Sequence, residues 1–187
     1  SSSGNYNVVV SANGACSATS QIIPVTVNAN PNASISASGN TTFCQGGSVN
    51  LTATGGSSYS WSNGQVGTGI TVNSTGTYSV VATGSNGCTS TSNNINVTVA
   101  AAPTASVSVN GPTVLNAGQT TNLIATGGGS YLWQPGGQTT SSITVNSAGS
   151  YTVTVTNGSG CTSTSTPVNI TMNNVSPVVI STTGAAE

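Results

Sequence analysis

The sequence predicts an all-β chain of tandem β-sandwich repeats, and three observations carry that prediction. Val, Ile and Thr alternate with polar residues over short runs, as in TYSVVAT at 77–83 and NINVTV at 94–99, which is the pattern of half-buried strands. Turn residues punctuate the runs about every 8–12 positions, the spacing of a sandwich. The chain also matches itself at a period of about 72 residues: LTATG at 51–55 returns as LIATG at 123–127, and GTYSVVAT at 76–83 returns as GSYTVTVT at 149–156. Self-similarity on that scale marks a repeat architecture.

The self-match divides the chain. Residues 1–28 align with the C-terminal part of a repeat, its last two strands. Residues 29–99 form one full repeat and 100–172 a second, and 173–187 align with the first strand of a following repeat. We therefore expect a piece of a longer array. The alternative is a subunit whose unfinished ends complete neighbours by strand donation.

Within the first full repeat the elements follow in order. ASISAS (33–38) starts after Pro31 of the linker NANPNA, because proline holds its own φ and biases the residue before it to extended conformations. SVNLTAT (48–54) places Val49, Leu51 and Ala53 on one face, and Gly55-Gly56 ends it. SYSW (58–61) places Tyr59 and Trp61 on one face before the Asn63-Gly64 turn. GITVN (69–73) is a short fourth strand. TYSVVAT (77–83) aligns Tyr78, Val80 and Ala82, and Asn86-Gly87 turns the chain into NNINVTV (93–99), which sends Ile95, Val97 and Val99 inward. Tyr131, Trp133 and Tyr151 are the second repeat's counterparts. We read Tyr59, Trp61, Tyr78, Tyr131, Trp133 and Tyr151 as core aromatics. The competing reading makes the Tyr59–Trp61 and Tyr131–Trp133 pairs sugar-stacking platforms. The linkers NANPNA (28–33), AAAPTA (100–105) and NVSPVV (174–179) each carry a proline before a first strand, which predicts a semi-rigid string. Each repeat would add roughly 30–40 Å to it.

Composition excludes much chemistry. The chain has no Lys, Arg or His, and its one acidic residue is Glu187. General acid–base catalysis needs such groups, so no enzyme and no catalytic residue is expected. Calcium sites are built on carboxylates and zinc sites on clustered Cys or His, so no metal and no cofactor is expected. Nucleic-acid binding by counterion release needs basic residues. No stretch approaches the ~20 apolar residues of a membrane span, and the N-terminus has neither the basic start nor the apolar run of a signal peptide. Near-zero charge favours association. Sequons at Asn40, Asn50, Asn73 and Asn157 are what a chain rich in Asn, Ser and Thr produces by chance.

Four cysteines remain. GSNGCTSTS at 84–92 returns as GSGCTSTS at 158–165, and NGACSATS at 13–20 is a looser copy. Cys16, Cys88 and Cys161 thus share one register. Cys44, in TTFCQGGSV, has its counterpart at Asn116. Cys44 and Cys88 both fall at strand edges of one repeat, so we expect them to pair across the two sheets; two free buried thiols are the alternative. Cys16 and Cys161 then lack partners and are read as free thiols or as bonded between molecules.

TTFCQGGSVNLTATGGSSYSWSNG, followed by ITVNSTGTYSVVATGSNGCTSTSNNINVTV, resembles the immunoglobulin-like repeats of giant Bacteroidota surface proteins. Such repeats occur in gliding-motility adhesins exported by the type IX secretion system. The resemblance covers nearly the whole chain. It implies immunoglobulin-like sandwiches in a cell-surface fibre, with Cys44–Cys88 as the internal staple, and Asn116 departs from that pattern. The expected function is a structural or adhesive segment of an extracellular fibre whose repeats act as spacers. Its partners would be neighbouring repeats or copies of itself, with a surface polysaccharide or substratum as a further partner. A self-assembling filament is the alternative, and a carbohydrate- or ice-binding module a third reading.

Overall fold

The computed structural model describes residues 2–12 and 16–173. Every regular element in it is a strand. The expected first strand at 173–187 lies outside the described residues.

Residues 2–27 hold four short strands: β1 (Gly4–Tyr6), β2 (Val9–Ala12), β3 (Cys16–Thr19) and β4 (Ile23–Val25). β1 pairs with β4 and β2 with β3, both antiparallel. The next nine strands are β5 (Ser34–Ala37), β6 (Thr42–Cys44), β7 (Val49–Thr54), β8 (Ser58–Trp61), β9 (Gly69–Val72), β10 (Gly76–Tyr78), β11 (Val80–Thr83), β12 (Thr89–Thr91) and β13 (Ile95–Ala100). They order as β5-β7-β9, β12-β11-β8 and β10-β13-β6. The second full repeat supplies β14 (Ser106–Asn110), β15 (Val114–Leu115), β16 (Thr121–Thr126), β17 (Ser130–Gln134), β18 (Ser142–Val145), β19 (Gly149–Thr156), β20 (Thr162–Thr164) and β21 (Val168–Met172). One of its sheets runs β14-β16-β18. The other runs β15-β21-β19-β17, with β20 on β19.

The six strands expected in the first full repeat are present at their places, with two differences. TYSVVAT is broken at Ser79 into β10 and β11, because the chain changes sheets there: Tyr78 pairs with Ile95, whereas Val80 pairs with Trp61. In residues 2–27 the same crossing splits the first of the two expected strands into β1 and β2, and β3, the counterpart of β12, makes the fourth. At each of these points, and where β19 exchanges β21 for β17 as its partner, a serine hydroxyl accepts a backbone N–H: Ser20 from Val8 at 2.9 Å, Ser92 from Val80 at 3.0 Å and Ser165 from Val153 at 3.1 Å. These serines close the motifs CSATS and CTSTS. The second difference is two added three-residue strands, β6 and β12, each too short to show alternation.

The chain divides into two compact units, Ser1–Thr41 with Ser48–Thr98, and Thr42–Gly47 with Val99–Glu187. In the first, β7 buries Val49, Leu51 and Ala53 while β11 buries Val80 and Ala82, and Trp61 is 3% exposed. In the second, Leu123, Ala125, Ile143 and Val145 of one sheet pack with Leu115, Trp133, Tyr151, Val153, Val155 and Ile170 of the other. That is a sandwich core, filled from alternate positions of facing sheets. Residues 2–27 differ. Val8 is 62% exposed and Val25 42%, while their counterparts Val80 and Val97 are each 1% exposed.

Candidate functional site

Two tyrosine corners set the local frame. The Tyr78 hydroxyl meets the Ser74 hydroxyl at 2.9 Å and donates to its carbonyl at 3.1 Å. Tyr151 does the same with Ser147 at 3.1 and 3.2 Å. Gly76 and Gly149 lie against the rings, where an added Cβ would stand 3.4 and 3.2 Å from a ring carbon. Tyr6 over Gly4 repeats this arrangement with its hydroxyl on the Ser2 carbonyl at 3.1 Å.

The tryptophans are interior. Trp61 Nε1 donates to the Gly67 carbonyl at 3.0 Å, and Trp133 Nε1 donates to the Thr140 carbonyl at 2.9 Å. Tyr78 and Tyr151 are buried as well. Tyr59 and Tyr131 are only half-buried. Tyr59 shares the inward face of β8 but sits where the strand begins, and its hydroxyl turns back to Gly56, accepting from the N–H at 2.9 Å and donating to the carbonyl at 2.8 Å. With Trp61 and Trp133 covered, no flat aromatic pair faces solvent on these strands. A cleft of about 430 Å³ beside Tyr59 is lined by Ser58, Ser60, Val66, Thr68 and Thr83. Hydroxyls with no base beside them are weak nucleophiles. Among the described residues no group of three or more His, Cys, Asp or Glu could hold a metal.

The cysteines form the most specific feature. Cys44 bonds to Cys161, 117 residues away, with a Cα–Cα distance of 5.5 Å, well inside the range a disulfide requires. The expected Cys44–Cys88 bond is therefore corrected, and so is the reading of Cys161 as unpaired. Cys88 is a half-buried free thiol and Cys16 an exposed one.

The reason lies in what each cysteine is tied to. Cys88 belongs to a loop that clasps the linker leading into its own repeat: Asn86 Nδ2 donates to the Ala29 carbonyl at 2.9 Å, while Asn86 Oδ1 accepts the Cys88 N–H at 3.1 Å. Cys161 sits in the matching loop, where Asn157 Nδ2 donates to the Ala101 carbonyl at 2.9 Å and Asn157 Oδ1 accepts the Cys161 N–H at 3.0 Å. Cys44, by contrast, ends β6, which runs beside β13, and the following Gln45 N–H donates to the Ala100 carbonyl at 3.1 Å. The strand carrying Cys44 thus accompanies the segment that leaves the first full repeat, at Ala100, where the Cys161 loop holds Ala101. The Cys161 sulfur itself lies 3.8 Å from the Ala100 carbonyl oxygen. Sequence reasoning missed this because β6 is too short to register as an edge strand beside the last strand. The signal was the offset: Cys88 and Cys161 share a register, so a partner for one and not the other had to come from outside its own repeat.

At Asn116, the counterpart of Cys44, the side-chain oxygen accepts from Asn173 Nδ2 at 3.0 Å. A hydrogen bond to the end of β21 stands there in place of a thiol.

No protein-family model and no curated protein matches the chain. Solved structures resemble it in fold. Murine CEACAM1b aligns with a TM-score of 0.40 and 13% identity, over 76% of this chain and 100% of that one. The three N-terminal domains of the bacteriophage RB49 Hoc protein align with a TM-score of 0.40 and 19% identity, over 76% of this chain and 59% of that one. Fibronectin(III)-like modules of Clostridium thermocellum CbhA align with a TM-score of 0.36 and 14% identity, over 74% of this chain and 94% of that one. The chain is an all-β protein built on β-sandwich packing of facing sheets.

Proposed function

We propose that this chain is a segment of an extracellular structural or adhesive fibre in which the repeats serve as spacers. The observation that carries this reading is the Cys44–Cys161 bond, which joins a cysteine of one sequence repeat to a cysteine of the next. Cys44 lies in Thr42–Gly47, which belongs to the same compact unit as Val99–Glu187, so the bond fixes a segment of one sequence repeat covalently into the unit built from the next. Disulfides persist in oxidising, extracellular settings, which supports a location outside the cytoplasm, and the cell surface is the setting this proposal gives it. The domain division at 29–99 and 100–172 belongs to this proposal, with 1–28 and 173–187 as parts of flanking repeats. The clasps on Ala29 and Ala101 support the semi-rigid joints expected from Pro31 and Pro103. A non-enzymatic role follows from a sequence without Lys, Arg or His. Kinship with Bacteroidota gliding adhesins and export by the type IX route rest on the sequence resemblance and belong to the same proposal.

A self-assembling filament is the second reading. The residues of 2–27 that correspond to core positions elsewhere stay exposed, Val8 and Val25 among them, and strands from a neighbour would cover them. A sugar-binding role for the aromatic pairs has no such support, since Trp61 and Trp133 are buried.

Immunogold labelling of intact producing cells, combined with electron microscopy of the purified native material, tests the proposal. Label on the surface of unpermeabilised cells is expected, and label only after permeabilisation would sink it. Isolated short rods in the purified material would exclude the filament, whereas ordered polymers would favour it over a spacer.

A further inference from the structure

The position of the disulfide along the chain has a mechanical consequence. A bond between Cys44 and Cys161 closes a covalent loop over everything between them. When the two ends of the chain are pulled apart, tension runs through residues 1–44, crosses the sulfur–sulfur bond, and continues through 161–187. Residues 45–160 lie outside that path. The loop contains the facing core strands of both units, from β7 through β19. Among the described buried hydrophobics, only Ile35, Ile170 and Cys161 itself fall on the stretched segments or at their junction.

We infer that Cys44–Cys161 is a force bypass, which confines tension to the outer segments and shields both sandwich cores from extension. Under load, β5 and β6 can peel at one side and β20 and β21 at the other. The closed loop cannot lengthen the chain even if its strands separate. A short rip at the edges followed by an inextensible covalent link is the expected response. Its use in a tethered fibre rests on the function proposed above, although the bypass is a property of the single chain.

Single-molecule force spectroscopy on the full chain, held at both termini through peptide tags rather than thiols, reads the bypass directly as length. With the bond intact the chain should extend to roughly 25 nm, against roughly 65 nm for a chain with no cross-link, at up to about 3.5 Å per residue. Adding a thiol reductant to the extended wild-type chain should then release one further step of about 40 nm. The C44S/C161S variant should reach the full length without reductant. The wild-type measurement stands alone if that variant fails to fold. Extension of oxidised wild type to roughly 65 nm would overturn the inference. An oxidised length of roughly 50 nm, with a reductant step of about 15 nm, would also overturn it, because that is the signature of a Cys44–Cys88 loop. Either failure would leave the surface-labelling result untouched, and a cytoplasmic location would leave the measured lengths untouched.

Discussion

Ser165 shows how much one hydroxyl can carry in a protein without charged side chains. It is 7% exposed, and it accepts the Val153 N–H just after the point where β19 exchanges β21 for β17 as its partner. Ser165→Ala leaves that buried donor without a partner, which costs about 1–3 kcal/mol. Urea denaturation should show the unfolding free energy fall by that amount, read as a lower midpoint at constant slope. Gly127 is equally constrained. It has φ +110°, and a Cβ there would collide with the Thr104 carbonyl oxygen, as one at Gly55 would with Asn32. Gly127→Ala should therefore destabilise by roughly 3 kcal/mol or more, again read by denaturation. The cysteines make a third prediction at this scale. Alkylation of the native protein without reductant should label Cys16 and Cys88 only, with Cys44 and Cys161 reacting after reduction. Peptide mapping needs a protease other than trypsin, since the chain has no Lys or Arg. A peptide joining Cys44 to Cys88 would refute the assignment.

At the scale of the element, alternation made most of the fold legible. Val49, Leu51 and Ala53 of β7 point inward as their spacing requires, and so do Ile143 and Val145 of β18. Trp61 and Trp133 are interior for the same reason. Alternation was silent on β6, where TFC gives no period to read, and on the sheet crossing at Ser79, where the period continues while the pairing partner changes. Tyr59 and Tyr131 lie on the inward face yet remain half-buried, because position along a strand, and not face alone, decides how deeply a side chain is covered. The clasps were invisible for another reason. Asn86 and Asn157 occupy different places in their loops, two residues before Cys88 and four before Cys161, yet both hold a linker carbonyl. Function was kept while the letter moved, so alignment could not reveal it.

For the whole molecule, the absence of charge and the single cross-link set the behaviour in solution. With no His, Lys or Arg and one carboxylate side chain, almost nothing on the protein titrates between pH 4 and 7.5, so proton linkage has little to act on. The unfolding free energy should change by less than about 0.5 kcal/mol across that range, measured by denaturation at constant salt. A drop of several kcal/mol would mean that a titrating group contributes to stability. The disulfide contributes through the unfolded state. Closing a loop of 117 residues is worth up to about 5 kcal/mol in the chain-entropy model, with about 2–5 kcal/mol typical for native bonds. The C44S/C161S variant should lose stability in that range, while Cys88→Ser changes it little.

Residue order alone makes legible the class of fold, the self-match of the repeats, the core-facing strands, and Trp61, Tyr78, Trp133 and Tyr151 as interior aromatics. Those follow from local alternation and self-match, which need no knowledge of what lies across space. It also excluded most catalytic chemistry, since absent side chains cannot act. The partner of Cys44 was decided only by the tertiary structure. The recurring cysteine marks one register along the chain, but pairing depends on which segments meet at Ala100 and Ala101. That meeting is made by a three-residue strand and an asparagine side chain, neither of which leaves a periodic trace in the sequence.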